Sequence, residues 1–193
     1  MWFRKHSKSM QNAMQNAMQT APEPKYPKIG DVYRSVSFGM DENEFDLCMR
    51  KDKIVRVDST SHAWTSYNTT MFGHEFSIGA KYLDGKLYRL VLSSPLFGGF
   101  TTPQLIELKK AVVEMFTEKY GEETSKSISM RSIACRYTWD FGGKIIEVVL
   151  DDQAYKNNMV LFIAITSTAM QDEAAANREA ENRSKYSEYS ANF

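Results

Sequence analysis

The pattern of hydrophobic and polar positions contains two similar stretches, each a turn dipeptide followed by an apolar strand. Asp84-Gly85 leads into residues 86–93, and Gly142-Gly143 leads into residues 144–150. Such dipeptides suit two-residue hairpin loops because both central positions need a positive φ, which glycine adopts without steric cost. The sequence therefore predicts two β-hairpins of similar design.

A helix is predicted ahead of each hairpin. The first begins at Asp41, which can form a capping box with Glu44. The second has Thr102 as its predicted N-cap before Pro103, and it ends at Gly121. Its predicted buried stripe consists of Leu105, Leu108, Val112, Met115 and Phe116.

Alternation at the strand period predicts the other elements. Further strands are expected at residues 32–36, 54–58, 63–71, 75–83, 132–141 and 159–167. The last of these is apolar on both faces, which suits a central strand covered on both sides. Ala, Glu and Arg favour a final helix from Met170 through about Asn182, with too little apolar surface to pack tightly.

These elements predict an α+β fold with a mostly antiparallel sheet packed by two helices. The matching order of helix and meander indicates a duplicated unit, with repeats at residues 41–98 and 99–168 inside a body at residues 31–168. Residues 1–30 are predicted to be an extended or helical arm and linker. Residues 169–193 are predicted to be a helical or disordered tail.

Both terminal segments carry side chains that could bind a protein partner. Near the N-terminus, methionine recurs at a spacing of four, which on a helix makes a narrow apolar stripe suited to adaptable surfaces. The alternatives are a disordered or weakly helical leader and a frayed C-terminus. The candidate partner-binding residues are Trp2, Phe3, Met10, Met14, Met18, Tyr186, Tyr189 and Phe193.

Charge and composition point away from nucleic acid and membrane partners. The chain has 193 residues, and 24 Lys and Arg balance 24 Asp and Glu, so no overall field favours nucleic acid. The longest apolar run, at residues 159–165, is far shorter than the roughly 20 residues of a transmembrane helix. No signal-peptide pattern is visible, which favours a cytoplasmic or particle-associated protein.

No catalytic, cofactor-binding or metal-binding residues are predicted, and no cofactor is expected. Zinc-ligand types are present at His62, His74, Cys48 and Cys135. No Cys-x-x-Cys pair or short His-His spacing brings two of them together. The two cysteines are expected to be buried, reduced thiols, with a disulfide as the alternative.

Three short motifs carry a resemblance to a known family. They are Phe38-Gly39-Met40 before the first helix, residues 87–92 in the following strand, and Lys119-Tyr120-Gly121 at the end of the second helix. Residues 32–168 resemble the two-layer β-lactamase-inhibitor-protein-like domains and related small envelope proteins of gut Bacteroidetes. The resemblance implies protein binding without catalysis. The chain lacks the lipoprotein signal and paired disulfides common in secreted inhibitors.

Functions from different classes fit the sequence. The first is a non-catalytic interaction or assembly module whose arms bind a protein partner or a second copy, as in a phage virion or secretion assembly. A second is an immunity or inhibitor protein. A third is a small-molecule binder or enzyme with a pocket near His62 and His74, lined also by Trp64 and Tyr67. The segment that carries Trp64 and Tyr67 is rich in hydroxyls, and its alternative is a solvent-facing edge strand.

Overall fold

The computed structural model describes residues 29–57, 65–95, 100–130, 132–155 and 158–191. Within these ranges the helices are α1 (Glu42–Lys51), α2 (Thr102–Tyr120) and α3 (Thr168–Ala191). The strands are β1 (Ile29–Tyr33), β2 (Val36–Phe38), β3 (Val55–Val57), β4 (Thr65–Met71), β5 (His74–Leu83), β6 (Lys86–Ser93), β7 (Ser125–Ile128), β8 (Cys135–Asp140), β9 (Lys144–Tyr155) and β10 (Asn158–Ser167). The predicted α+β class is confirmed.

Eight of these strands form one antiparallel sheet in the order β3-β4-β5-β6-β10-β9-β8-β7, while β1 and β2 form a separate hairpin. The meander β3 to β6 follows α1, and the meander β7 to β10 follows α2. The two meanders join where β6 pairs with β10. The order of elements is thus the same in both halves, and duplication of the sequence itself stays a prediction.

One row of paired residues crosses all eight strands on the face that α1 and α2 cover. Its six inner members are buried because strand alternation turns them toward the helices. Its two ends are cations on the edge strands β3 and β7. In strand order the row is Arg56, Tyr67, Ile78, Leu92, Ile163, Val148, Tyr137 and Lys126. We call this side of the sheet the core face.

Helix α1 begins with the predicted capping box. The Asp41 carboxylate accepts the Glu44 backbone N–H at 2.9 Å, and the Glu44 carboxylate accepts the Asp41 backbone N–H at 3.1 Å. Phe45 and Met49 are fully buried, and the Phe45 ring meets the edge of Tyr67 at 5.5 Å between centroids. These contacts hold α1 on the core face.

Helix α2 begins one residue earlier than predicted. Thr101, not Thr102, is the N-cap, because its extended backbone precedes the first helical residue. Four of the five predicted stripe residues are buried, and Met115 is half-buried. Gly121 ends the helix with a φ of 83°, which a larger residue rarely adopts, and its carbonyl accepts the Trp139 indole N–H at 3.0 Å.

The two predicted hairpins form, but their loops differ. At the first loop, Asp84 and Gly85 have φ angles of 49° and 72°, as predicted for both central positions. At the second loop, Gly142 has a φ of 73° whereas Gly143 lies outside the positive-φ region. The prediction of two positive φ angles is therefore wrong there, because a loop with glycine first needs only one of them.

A β-bulge in β6 shifts the alternation of side chains, so that Leu87 and Leu90 both face the core although they are three residues apart. Lys81 pairs with Arg89 and Tyr82 pairs with Leu87, so Tyr88 is an extra residue between them. Leu87 is buried on the core face, where its backbone also bonds to the end of the β1–β2 hairpin. Tyr88 is buried on the other face in a small cluster with Leu83, Met170 and Ala174.

Several other predictions need correction. The strand expected at residues 32–36 is interrupted, because Arg34 has a φ of 51° and turns the chain between β1 and β2. Strand β7 was not expected, and α3 extends farther than predicted. Cys48 is only half-buried, while Cys135 is buried, and both are free thiols. The central position of β10 is confirmed.

Candidate functional site

Most of the candidate residues in the terminal segments lie outside the described residues. This group contains Trp2, Phe3, Met10, Met14, Met18 and Phe193. Tyr186 and Tyr189 belong to α3, but their side chains are outside the description. The proposed partner-binding role of these residues stays a prediction.

Tyr67 is a core residue and does not face a ligand. Its hydroxyl donates to the Asp46 carboxylate on α1 at 2.9 Å, and Asp46 also pairs with Arg50 at 2.7 Å. Burial, followed by the hydrogen bond to Asp46, raises the pKa of Tyr67 above its usual range. Strand β4 lies between β3 and β5, so the edge-strand alternative is wrong as well.

His74 lies at the start of β5, beside an apolar cleft of about 420 Å³. Its ring is half-buried and lies 4.7 Å from the Phe100 ring between centroids. Tyr67 pairs with Ile78, four residues farther along β5, and does not line this cleft. His62 and Trp64 lie outside the described residues. The cleft is lined by Phe72, His74, Pro103, Gln104, Glu107, Leu108 and Ala111.

Two further observations concern metals and membranes. In the described ranges, no group of three or more His, Cys, Asp or Glu side chains is placed to hold a metal ion. Across the same ranges, no helix is both long enough and apolar enough to cross a membrane.

The second face of the eight-stranded sheet is the largest candidate surface, and we call it the open face. Among the described elements, α3 packs on it, through Met170 and Ala174 in its first two turns. The described side chains of α3 between residues 175 and 183 are exposed. One row across this face is Val57, Ser66, Gly79, Val91, Ala164, Glu147, Thr138 and Ser125. The next is Val55, Asn68, Ser77, Ser93, Phe162, Val149, Arg136 and Ser127.

A charged cluster lies at the middle of the open face. The Glu147 carboxylate is 3.2 Å from the Arg136 guanidinium and 3.9 Å from that of Arg89. Two arginines therefore contact one carboxylate, and Lys81 lies on the same face of β5, paired with Arg89. The small side chain of Ala164, which is paired with Glu147, leaves room for Arg89 to reach across β10.

One hydrogen-bond donor of Arg89 is unpaired in the described part of the chain. Among the described residues, its buried Nε atom has no hydrogen-bond partner, and neither does the hydroxyl of Thr166, which is paired with Arg89 on β10. Buried polar groups normally have a partner, and an orphaned one often marks a functional site. Both atoms are buried, so they lie beneath the surface that a partner would contact.

An apolar patch adjoins the charged cluster. Phe162 is paired with Val149, and Val91 lies on the neighbouring strand in the row that contains Glu147. All three side chains are half-buried. The combination suits non-covalent recognition of another surface, because it offers apolar contact and ionic anchors without a nucleophile and base in contact.

The sequence analysis missed this cluster, although it left a signal. Arg89 and Glu147 are the charged residues inside the largely apolar runs 87–92 and 145–150, and each occupies a position of the face opposite the core. Their contact depends on β10 lying between β6 and β9. Strand order of this kind is not encoded in local alternation.

Comparisons with known proteins add little to this description. No protein-family model matches the sequence, and no curated protein matches it at a significant level. One solved structure with similarity is that of a DUF4309 family protein, YjgB, from Bacillus subtilis. It has 12% sequence identity and a TM-score of 0.33, and the match covers 58% of this chain and 68% of that one. A likeness at that level carries no argument about function.

Proposed function

We propose that this protein is a non-catalytic interaction module whose open face binds an acidic segment of a protein partner. The observation that carries the proposal is the charged cluster, in which the guanidinium groups of Arg89 and Arg136 flank the carboxylate of Glu147. The excess of positive charge favours a partner that brings a carboxylate of its own.

The contacts support a specific binding arrangement. A partner carboxylate would accept from the guanidinium groups of Arg136 and Arg89, whose side chains are 58% and 33% exposed. An apolar partner side chain next to it would cover Val91, Val149 and Phe162. Such an interface has an apolar centre with charged anchors around it, which is the usual composition of a specific protein interface.

The terminal arms supply the second part of the proposal. We expect the Met-containing N-terminal arm and the C-terminal tail to bind neighbouring subunits, as components of a phage virion or secretion assembly would. Deleting residues 1–28 should leave the sheet and helices folded and abolish assembly with these neighbours. Unchanged assembly would contradict the role of the arm.

The open face can be tested by selecting binders from a library of random displayed peptides. The wild-type protein is expected to enrich peptides with Asp or Glu next to an aromatic or aliphatic residue. Arg89→Gln and Arg136→Gln should each weaken binding of the selected peptides by about fivefold. The matched control is Arg50→Gln on α1, which removes an exposed arginine paired with a carboxylate on the other side of the sheet.

The result is decisive in both directions. Acidic peptides that lose affinity in the two open-face variants, and keep it in Arg50→Gln, support the proposal. Selected peptides without a preference for Asp or Glu, or equal losses of affinity in all three variants, would contradict the proposal. Circular dichroism spectra of the variants establish that each remains folded.

Two alternative functions also have specific support. An immunity or inhibitor protein would use the same open face and would bind a single partner tightly, so titration would show one high-affinity complex. A small-molecule binder would use the cleft beside His74, where Glu107 supplies a carboxylate on α2. His74→Ala would then abolish binding of the small molecule and leave peptide binding unchanged.

A further inference from the structure

A second cleft lies on the core face, between the β1–β2 hairpin and the C-terminal half of α2. Its volume is about 300 Å³, and it reaches the central strands β6 and β10. The site is independent of the open face, since it is on the opposite side of the sheet. Its lining residues are Val32, Tyr33, Arg34, Met71, Leu92, Met115, Phe116, Lys119, Tyr120, Ile163 and Ile165.

The inner part of the cleft is apolar. Leu92 and Ile163 are paired neighbours on β6 and β10, and Ile165 continues the same face of β10. Phe116 of α2 and Met71 of β4 complete this part of the lining. These side chains offer an occupant no hydrogen bonds, so they suit a hydrocarbon chain.

The outer part of the cleft is cationic. Arg34 and Lys119 are exposed, and among the described residues that line the cleft these two are charged. The Arg34 guanidinium lies 5.5 Å from the centroid of the Tyr33 ring, and the Lys119 ammonium lies 4.9 Å from that of Tyr120. Each cation thus lies over the ring of a tyrosine that also lines the cleft, and the Arg34 guanidinium also donates to the Asp52 backbone carbonyl at 3.4 Å.

We propose that this cleft binds an amphipathic anion, with a single hydrocarbon chain inside and a negatively charged headgroup between Arg34 and Lys119. The apolar lining disfavours a polar ligand, because the polar groups of such a ligand would lose their hydrogen bonds to water inside the cleft. Two cations favour a negative headgroup over a neutral or positive one. The volume is at the lower end of the usual range for ligand pockets, which favours one chain over a larger lipid.

The proposal can be tested with single-chain probes that differ only in the headgroup. Decanoate, decanol and decyltrimethylammonium are titrated into the full-length protein by calorimetry, below the concentration at which they form micelles. Decanoate is expected to bind most tightly, decanol more weakly, and the cationic probe most weakly. Acetate, which has the headgroup without the chain, is expected not to bind.

Variants then locate the site. Lys119→Gln and Arg34→Asn should each weaken decanoate binding about fivefold and leave decanol binding unchanged. Asparagine is chosen at position 34 because it tolerates the observed φ of 51°. The control is Lys109→Gln, since Lys109 is on the same helix and lies over Tyr137 at 5.7 Å, away from the cleft.

Met115→Trp tests the apolar part of the cleft, because a larger side chain at this half-buried position should fill it. Decanoate and decanol should then both lose affinity. Equal binding of the anionic and cationic probes, no binding of decanoate, or the same loss in Lys109→Gln as in Lys119→Gln would overturn the proposal. None of these results depends on the peptide-binding role of the open face.

Discussion

The two faces of the eight-stranded sheet are built by the same strands and are covered in different ways. On the core face, the inner six residues of the central row are buried beneath the helices. On the open face, the adjoining rows mix small, hydroxyl, apolar and charged side chains, and most are half-buried or exposed. Because side chains alternate along a strand, one of two neighbouring residues packs into the core and the other lies on the open face. The core face therefore holds most of the buried apolar residues, and the open face leaves more of its side chains accessible.

The largest expected effect comes from substitutions at two adjacent valines on β9. Val148 is fully buried on the core face, whereas Val149 is half-buried on the open face. Val148→Asp should destabilise the protein by more than about 4 kcal/mol, because it buries an unpaired carboxylate. Val149→Asp should change the free energy of unfolding by less than about 1 kcal/mol. Urea denaturation of both variants measures the contrast, and similar losses would contradict it.

A second test concerns the part of the open face that α3 covers. A chain that ends at residue 168 loses the burial of Met170 and Ala174 against Leu83 and Tyr88. We expect a loss of about 2 kcal/mol in the free energy of unfolding. A chain that ends at residue 177 keeps these contacts and should match the full-length protein within about 0.5 kcal/mol. If the two truncations are equally stable, α3 contributes nothing to this face.

The smallest expected effect concerns pH and the core face. Because burial and the bond to Asp46 raise the pKa of Tyr67, the folded protein keeps this hydroxyl protonated when the unfolded chain ionises. Stability from Tyr67 is thus complete below about pH 10 and is lost as the pH rises further. Tyr67→Phe should cost about 1 kcal/mol at neutral pH and reduce the loss of stability at high pH.

The matched control on the open face is Arg136→Gln. It should leave the dependence of stability on alkaline pH unchanged, since Arg136 does not contact Tyr67. Urea denaturation at a series of pH values compares the two variants. An alkaline pH dependence that is the same in Tyr67→Phe and in the wild type would show that this hydroxyl is not the source.

Local rules predicted the elements that depend on local interactions. The capping box at Asp41, the limits of β6 and the end of α2 at Gly121 all follow from a few neighbouring residues. Strand β7 was missed because all four of its side chains are exposed, so it lacks alternation, and its pairing with β8 defines it. The interruption at Arg34 was missed because a positive φ at arginine has no sequence signal.

The candidate sites were less predictable than the fold. Tyr67 was expected to line a pocket, but alternation alone does not reveal which face of β4 the helix α1 covers. The charged cluster on the open face depends on the order β6-β10-β9, which brings distant segments together. The cleft between Arg34 and Lys119 likewise requires β1 and α2 to meet over the central strands. Each of these features depends on tertiary packing.

The edges of the sheet bear on how the protein behaves at high concentration. Its outermost strands, β3 and β7, are short, and each carries a cation of the central row, at Arg56 and Lys126. If molecules joined end to end with this row continued, the two cations would lie opposite each other. Arg56 pairs with Glu42 and Lys126 with Glu123, and charged side chains on short edge strands are a common protection against strand-by-strand polymerisation. Self-assembly of this protein should therefore proceed through surfaces other than its sheet edges.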